Sequence, residues 1–160
     1  MKLHSLIVII AGTLVAATIV PQEATAQQAT AGMVSGKQKV ISSMELPDGR
    51  TIRRMMLSLE VTADDPSSIW HLGSQDCFAT YMFGADGTLV GGRGLCDFVS
   101  PHGDLWWLTL EASGDDPIRW AGLGGTGKFA AVEHSGTTVT QAEWGDGKMV
   151  GRWEGTMTEK

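Results

Sequence analysis

Beyond residue 36, apolar and polar positions alternate in short runs separated by small, turn-forming residues. Met55, Leu57, Leu59 and Val61 share one face of their run, against Arg54, Ser58 and Glu60 on the other. Trp106, Leu108 and Leu110 oppose Trp107, Thr109 and Glu111. Met149, Gly151, Trp153, Gly155 and Met157 oppose Arg152, Glu154 and Thr156. A period of two residues sends alternate side chains to opposite faces of a β-strand. The pattern predicts about eight strands: 37–46, 50–62, 75–83, 88–99, 105–111, 118–122, 132–143 and 148–157.

The punctuation agrees. Pro47-Asp48-Gly49, Ala85-Asp86-Gly87 and Gly145-Asp146-Gly147 stand between runs, and Asp-Gly marks a hairpin because glycine accepts the positive φ such turns need. Register around Ala85-Asp86-Gly87 brings Cys77 close to Cys96. Gly91, Gly92 and Gly94 within one run predict a bulge or sharp bend. Short meandering strands in this number form a sandwich or a barrel. The barrel is favoured because closure removes exposed edges.

The first residues carry a different pattern. Lys2 precedes the apolar run Leu6–Val20, Pro21 ends it, and Ala24-Thr25-Ala26 offers small residues for cleavage. This is a secretory leader pattern, and the run is shorter than the roughly 20 residues that cross a bilayer. Ala29-Thr30-Ala31 is a second possible cleavage site, so the mature chain is expected to start at Gln27 or Gly32. The organisation read from the sequence is a leader over 1–26, a flexible segment over 27–36 and a single barrel over 37–160. The exported product would be periplasmic or secreted, without stable membrane insertion.

An exported chain with two cysteines favours a Cys77–Cys96 disulfide over free thiols, and two sulfurs alone do not fill a tetrahedral metal site. No metal and no cofactor is expected. Twelve basic against eighteen acidic residues give a net charge of −6, which argues against nucleic acid as a partner. At 160 residues there is room for one domain.

Gly122-Leu123-Gly124-Gly125-Thr126-Gly127-Lys128-Phe129 satisfies both a dinucleotide and a phosphate-loop glycine spacing. Neither reading survives its context. No helix pattern follows, and Phe129 stands where a phosphate loop needs Ser or Thr. The glycines are expected to shape a loop and Phe129 to plug a barrel end. The segment Gly124–Phe129 resembles the G-G-T-G-K-F element of dirigent proteins and, more loosely, that of allene oxide cyclases. With Ser135-Gly136-Thr137 and the closing Gly151, Trp153, Gly155 and Thr156, the chain is most similar to an exported bacterial branch of that barrel type. Ala131 and His134 depart from the glycines of its pattern. The resemblance covers roughly residues 75–157 and implies an all-β, calycin-like, eight-stranded antiparallel barrel with a central cavity. Dirigent proteins steer phenoxy-radical coupling and allene oxide cyclases steer ring closure of a fatty-acid epoxide. Their pocket-lining acidic or polar residues are not matched here, so neither activity is carried over.

The chemistry left to weigh is sparse. His71 reads as loop or rim and His102 as a turn residue, while Glu133 and His134 are strand neighbours on opposite faces and so a poor acid–base pair. Asp64-Asp65-Pro66 and Asp115-Asp116-Pro117 read as solvated turns. Trp106, Trp120 and Trp153 are candidate wall residues of a cavity, with Tyr81 and Arg93 as candidate polar contacts. The expected role is an exported barrel that binds a small apolar or aromatic molecule. Two alternatives stand beside it: a cyclase- or isomerase-like cavity enzyme using His102 or His134 as proton carrier, and a solid-core structural or envelope interaction protein. Oligomeric state is not legible in the sequence.

Overall fold

The computed structural model describes residues 27–159. The leader assigned to 1–26 lies outside them. Eight antiparallel strands close in sequence order into a barrel, with β8 pairing back to β1. They are β1 (Gln27–Glu45), β2 (Thr51–Ala63), β3 (Gly73–Phe83), β4 (Leu89–Val99), β5 (Leu105–Ser113), β6 (Ile118–Gly125), β7 (Val132–Glu143) and β8 (Lys148–Glu159). A short 3₁₀ turn, Gly127–Phe129, precedes β7.

The strands and their faces follow the alternation. Met55, Leu57, Leu59 and Val61 of β2, Trp106, Leu108 and Leu110 of β5, and Met149, Trp153 and Met157 of β8 are all buried in the lumen. Three hairpins at one end share one construction. Gly49, Gly87 and Gly147 have φ of 83°, 84° and 81°, and Asp48, Asp86 and Asp146 accept the backbone N–H two residues on through Oδ1. An Asp that closes its own turn followed by a glycine in the left-handed region is what the Asp-Gly pairs specified.

Cys77 faces Cys96 directly across β3 and β4, and the two form a disulfide. Both side chains point inward, with Cys77 fully buried.

One assignment is corrected. Residues 27–36 are not a flexible segment; they are the first half of β1. Gln27–Lys37 pairs with β8, and from Gly32 onward β1 also pairs with β2. The inward positions here are Thr30, Gly32, Val34 and Gly36, so a strand in this stretch shows almost no hydrophobic alternation. Small residues are needed because the barrel is narrow. A side chain at Gly32 would place its Cβ 2.7 Å from the Trp153 ring and against the backbone of Thr62.

The same exchange of ring for glycine recurs around the lumen. Phe98 lies on Gly73, Trp106 on Gly122, and Trp120 on both Gly136 and Gly155. The large aromatics therefore occupy space that neighbouring strands leave unfilled.

Two stability predictions follow from this packing. Gly136→Ala puts a methyl group 2.5 Å from Trp120 Cζ2 and against the Glu154 carbonyl. It should cost about 1–3 kcal/mol in urea unfolding, whereas Gly145→Ala, with nothing within 4 Å, should change stability by less than about 0.5 kcal/mol. Replacing both cysteines by alanine removes a staple across a sequence separation of 19 and should lower stability by about 2–4 kcal/mol in the same assay.

Candidate functional site

One end of the barrel is stoppered. The loop between β2 and β3 is built by Asp65, which accepts the Ser67 N–H at 2.9 Å, and by turns through Ser68 and His71. Asp64 is tied bidentately to Arg152 of β8, with Nη1 donating at 2.8 Å. The loop ends at Leu72, whose φ of 60° is unusual for a non-glycine residue. This path turns Trp70 into the barrel, where it is 2% exposed. Phe129 enters from the 3₁₀ turn and is fully buried, as the plug reading anticipated. Its ring lies 4.6 Å from Trp70 and 5.6 Å, edge-on, from Phe98.

Beneath this stopper sits His134, projecting inward from β7 at 5% exposure. Its ring stacks on Trp70 at 4.3 Å. Trp120 stands 4.7 Å away, Trp106 5.5 Å and Trp153 6.1 Å. On one side Nε2 is 2.7 Å from the Thr30 hydroxyl. Burial disfavours the imidazolium and pulls the pKa down from 6.5 to about 3, so the ring is neutral across the ordinary pH range.

Below His134 a cavity of about 70 Å³ extends toward the hairpin end. Trp70, Trp106, Trp120 and Trp153 line its closed side. Leu57, Leu108 and the disulfide's Cys77 form its flanks, and Tyr81, Leu110, Ile118, Thr138 and Met149 lie toward the other end. Ile118 and Thr138 are only half-buried. Burial raises the Tyr81 phenol above its usual value, so it too is uncharged. The barrel is thus neither hollow nor solid. A cavity of about 150 Å³ accepts a benzene, and the space here is roughly half of that.

Four of the five candidate contacts meet in this cavity: Tyr81, Trp106, Trp120 and Trp153. Arg93 does not. Cys96 and Phe98 of β4 point inward, so Arg93, at odd spacing from them, points out. There it pairs with Glu111 of β5 at 3.1 Å, with most of its side chain exposed. Trp70 and His134 are among the lining residues that strand periodicity did not single out. Trp70 lies in a loop, where alternation has no meaning. His134 could have been found by counting two residues on from Val132. His102 is an exposed turn residue, and His71 donates from Nδ1 to the Ala63 carbonyl at 2.9 Å outside the cavity. Glu133 and His134 do face opposite ways. Among the described residues, no group of three or more His, Cys, Asp or Glu could hold a metal ion, and no helix is long and apolar enough to cross a membrane.

Comparison with known proteins yields the fold. No protein-family model matches the chain, and no curated protein matches it. Among solved structures it is similar to the pterocarpan synthase dirigent protein GePTS1, with a TM-score of 0.54 and 13% identity, covering 93% of this chain and 100% of that one. It is also similar to the pterocarpan synthase dirigent protein PsPTS1, with a TM-score of 0.55 and 12% identity over 84% of this chain and 96% of that one. The architecture is therefore a dirigent-like eight-stranded antiparallel barrel. At this identity the likeness is one of fold.

The buried histidine makes acid stability a readout of the site. The unfolded chain protonates this imidazole near 6.5 and the folded one only near 3, so acidification favours unfolding between those values. Stability should fall as pH drops below about 6.5, by on the order of 4–5 kcal/mol at pH 3. Chemical denaturation from pH 7 to 4 should show this slope, and His134→Gln should remove most of it. Over most of pH 7 to 4 the slope belongs to His134; Asp48, Asp64, Asp65, Asp86 and Asp146, whose pKa values are held below 3.8 by their hydrogen-bond partners, add their own loss of stability as pH falls toward and through 3.8.

Proposed function

We propose that this chain is an exported barrel protein that binds a small apolar or aromatic molecule in its lumen. The observation that carries the reading is the cavity beneath His134. It is walled by four indole rings and aliphatic side chains. Such walls favour flat or flexible apolar groups by area burial and ring contact. The size of the cavity restricts what enters it fully to a small molecule or one end of a larger one. Met149 and Met55 near the hairpin end are unbranched and can shift to admit more.

Export is supported by the leader pattern and by the Cys77–Cys96 disulfide, which belongs to an oxidising compartment. On this reading the leader is removed after Ala26. Cleavage at the alternative site would delete Thr30, the partner of His134, together with Gln27–Ala31, the first five of the eleven β1 residues that pair with β8.

A second reading, a cavity enzyme, is favoured by one observation. His134 is a titratable group inside the lumen, with Nδ1 not engaged by any described residue. It differs from simple binding in requiring turnover. His102, on the surface, has no part in it.

Binding is tested by native mass spectrometry of protein purified from its own exporting cell, followed by titration with toluene. Retention of a small molecule, or a saturable toluene shift of the Trp106 and Trp120 side-chain NMR signals, is the expected result. Absence of both would leave the barrel a structural protein.

A further inference from the structure

The lumen carries a pattern of polar atoms that its apolar character does not require. Three indole N–H groups, those of Trp70, Trp106 and Trp153, are buried without a hydrogen-bond partner among the described residues, and so is His134 Nδ1. All four side chains are at most 5% exposed, and all four line the same cavity. An indole nitrogen only donates. A buried donor left unpaired costs free energy, and native proteins leave few such groups unsatisfied. Phenylalanine would supply an aromatic ring, though a smaller one, without that cost.

The cavity's charge inventory narrows what could answer these donors. Among the described residues, no aspartate, glutamate, lysine or arginine lines it. An anion would receive N–H donors yet would lie in a low-dielectric site without a counter-charge, which is expensive. A cation would find no acceptor of opposite sign. An uncharged oxygen acceptor suits both conditions.

Resting on the binding role above, we propose that the ligand is a neutral molecule with an apolar body and a carbonyl-type oxygen, which enters the cavity oxygen first and accepts from the unpaired indole N–H groups around His134. The ring faces hold the apolar body, and the N–H groups select the oxygen. His134 contributes without charge: Nε2 is occupied by Thr30, and its remaining nitrogen is buried without a partner among the described residues. Discrimination against an isostere lacking the oxygen follows because that isostere leaves the donors unpaired.

The test uses the full mature chain and three probes: cyclohexanone, its near-isostere methylenecyclohexane, and cyclohexanecarboxylate. Six tryptophans give six indole N–H signals in a nitrogen–proton correlation spectrum. Cyclohexanone should shift those of Trp70, Trp106 and Trp153 while leaving the exposed Trp107 and Trp144 unmoved. It should bind about tenfold more tightly than methylenecyclohexane. Trp106→Phe removes a donor as well as part of the wall, so both affinities change and the readout is their ratio within the variant: the preference for cyclohexanone over methylenecyclohexane should fall toward one. Trp70→Phe serves the same purpose should Trp106→Phe fail to fold.

Equal binding of the two neutral probes overturns this proposal and leaves the apolar-ligand role intact. Tighter binding of the carboxylate overturns it in favour of an anion site. Binding of no probe at all overturns it together with the role on which it rests.

Discussion

The structure depends on a narrow sheet closed around side chains too large for it, made possible by glycines on the facing strands. Eight strands give an interior just wide enough for side chains to fill. Here that interior receives Trp70, Trp106, Trp120, Trp153, Phe98 and Phe129. They fit because Gly32, Gly73, Gly122, Gly136 and Gly155 present bare backbone where the rings lie. A glycine in a strand weakens it locally. Closure of the ladder and burial of a ring against the same backbone offset that weakness. The glycine richness of the chain is thus a steric complement to its tryptophans as well as a source of turns.

This complementarity also sets the site. The rings gather at one end because that end is closed by irregular chain, which can fold Trp70 and Phe129 inward over the strand termini. The other end is made of tight Asp-Gly hairpins that contribute no side chain to a plug. A cavity therefore persists between a stoppered end and a hairpin end, and His134 lines it beneath Trp70. Thr30, from the earliest described part of the chain, completes that point. The closing of β1 on β8 and the seating of the histidine are one event.

Much of this was legible in the sequence because the governing signals are local. Alternation placed Met55–Val61, Trp106–Leu110 and Met149–Met157 on the correct faces, and Asp-Gly turns fixed the register that opposes Cys77 to Cys96. The unread parts have equally physical causes. Residues 27–36 build a strand whose inward positions are mostly small or polar, so hydrophobicity is silent there. Trp70 acts from a loop, whose path depends on Asp65, Ser68 and the Asp64–Arg152 ion pair rather than on any period. Arg93 was placed in the cavity by chemistry alone. Parity from Cys96 and Phe98 would have put it outside, beside Glu111.

The unpaired indole donors follow from closure too. In an open sheet, an edge strand offers carbonyl oxygens to nearby side chains. In a closed barrel each strand has a partner on both sides, so backbone carbonyls are spent largely within the ladder. Donors buried in the barrel must then be answered by lumen side chains, and the polar side chains able to accept there are few: Tyr81, Gln75, Thr138 and His134. A barrel lined with tryptophan therefore accumulates hydrogen-bonding capacity that its own architecture leaves unmet. That capacity separates this interior from a purely aliphatic core of the same volume, and it gives a lumen without charge a means of choosing among uncharged molecules.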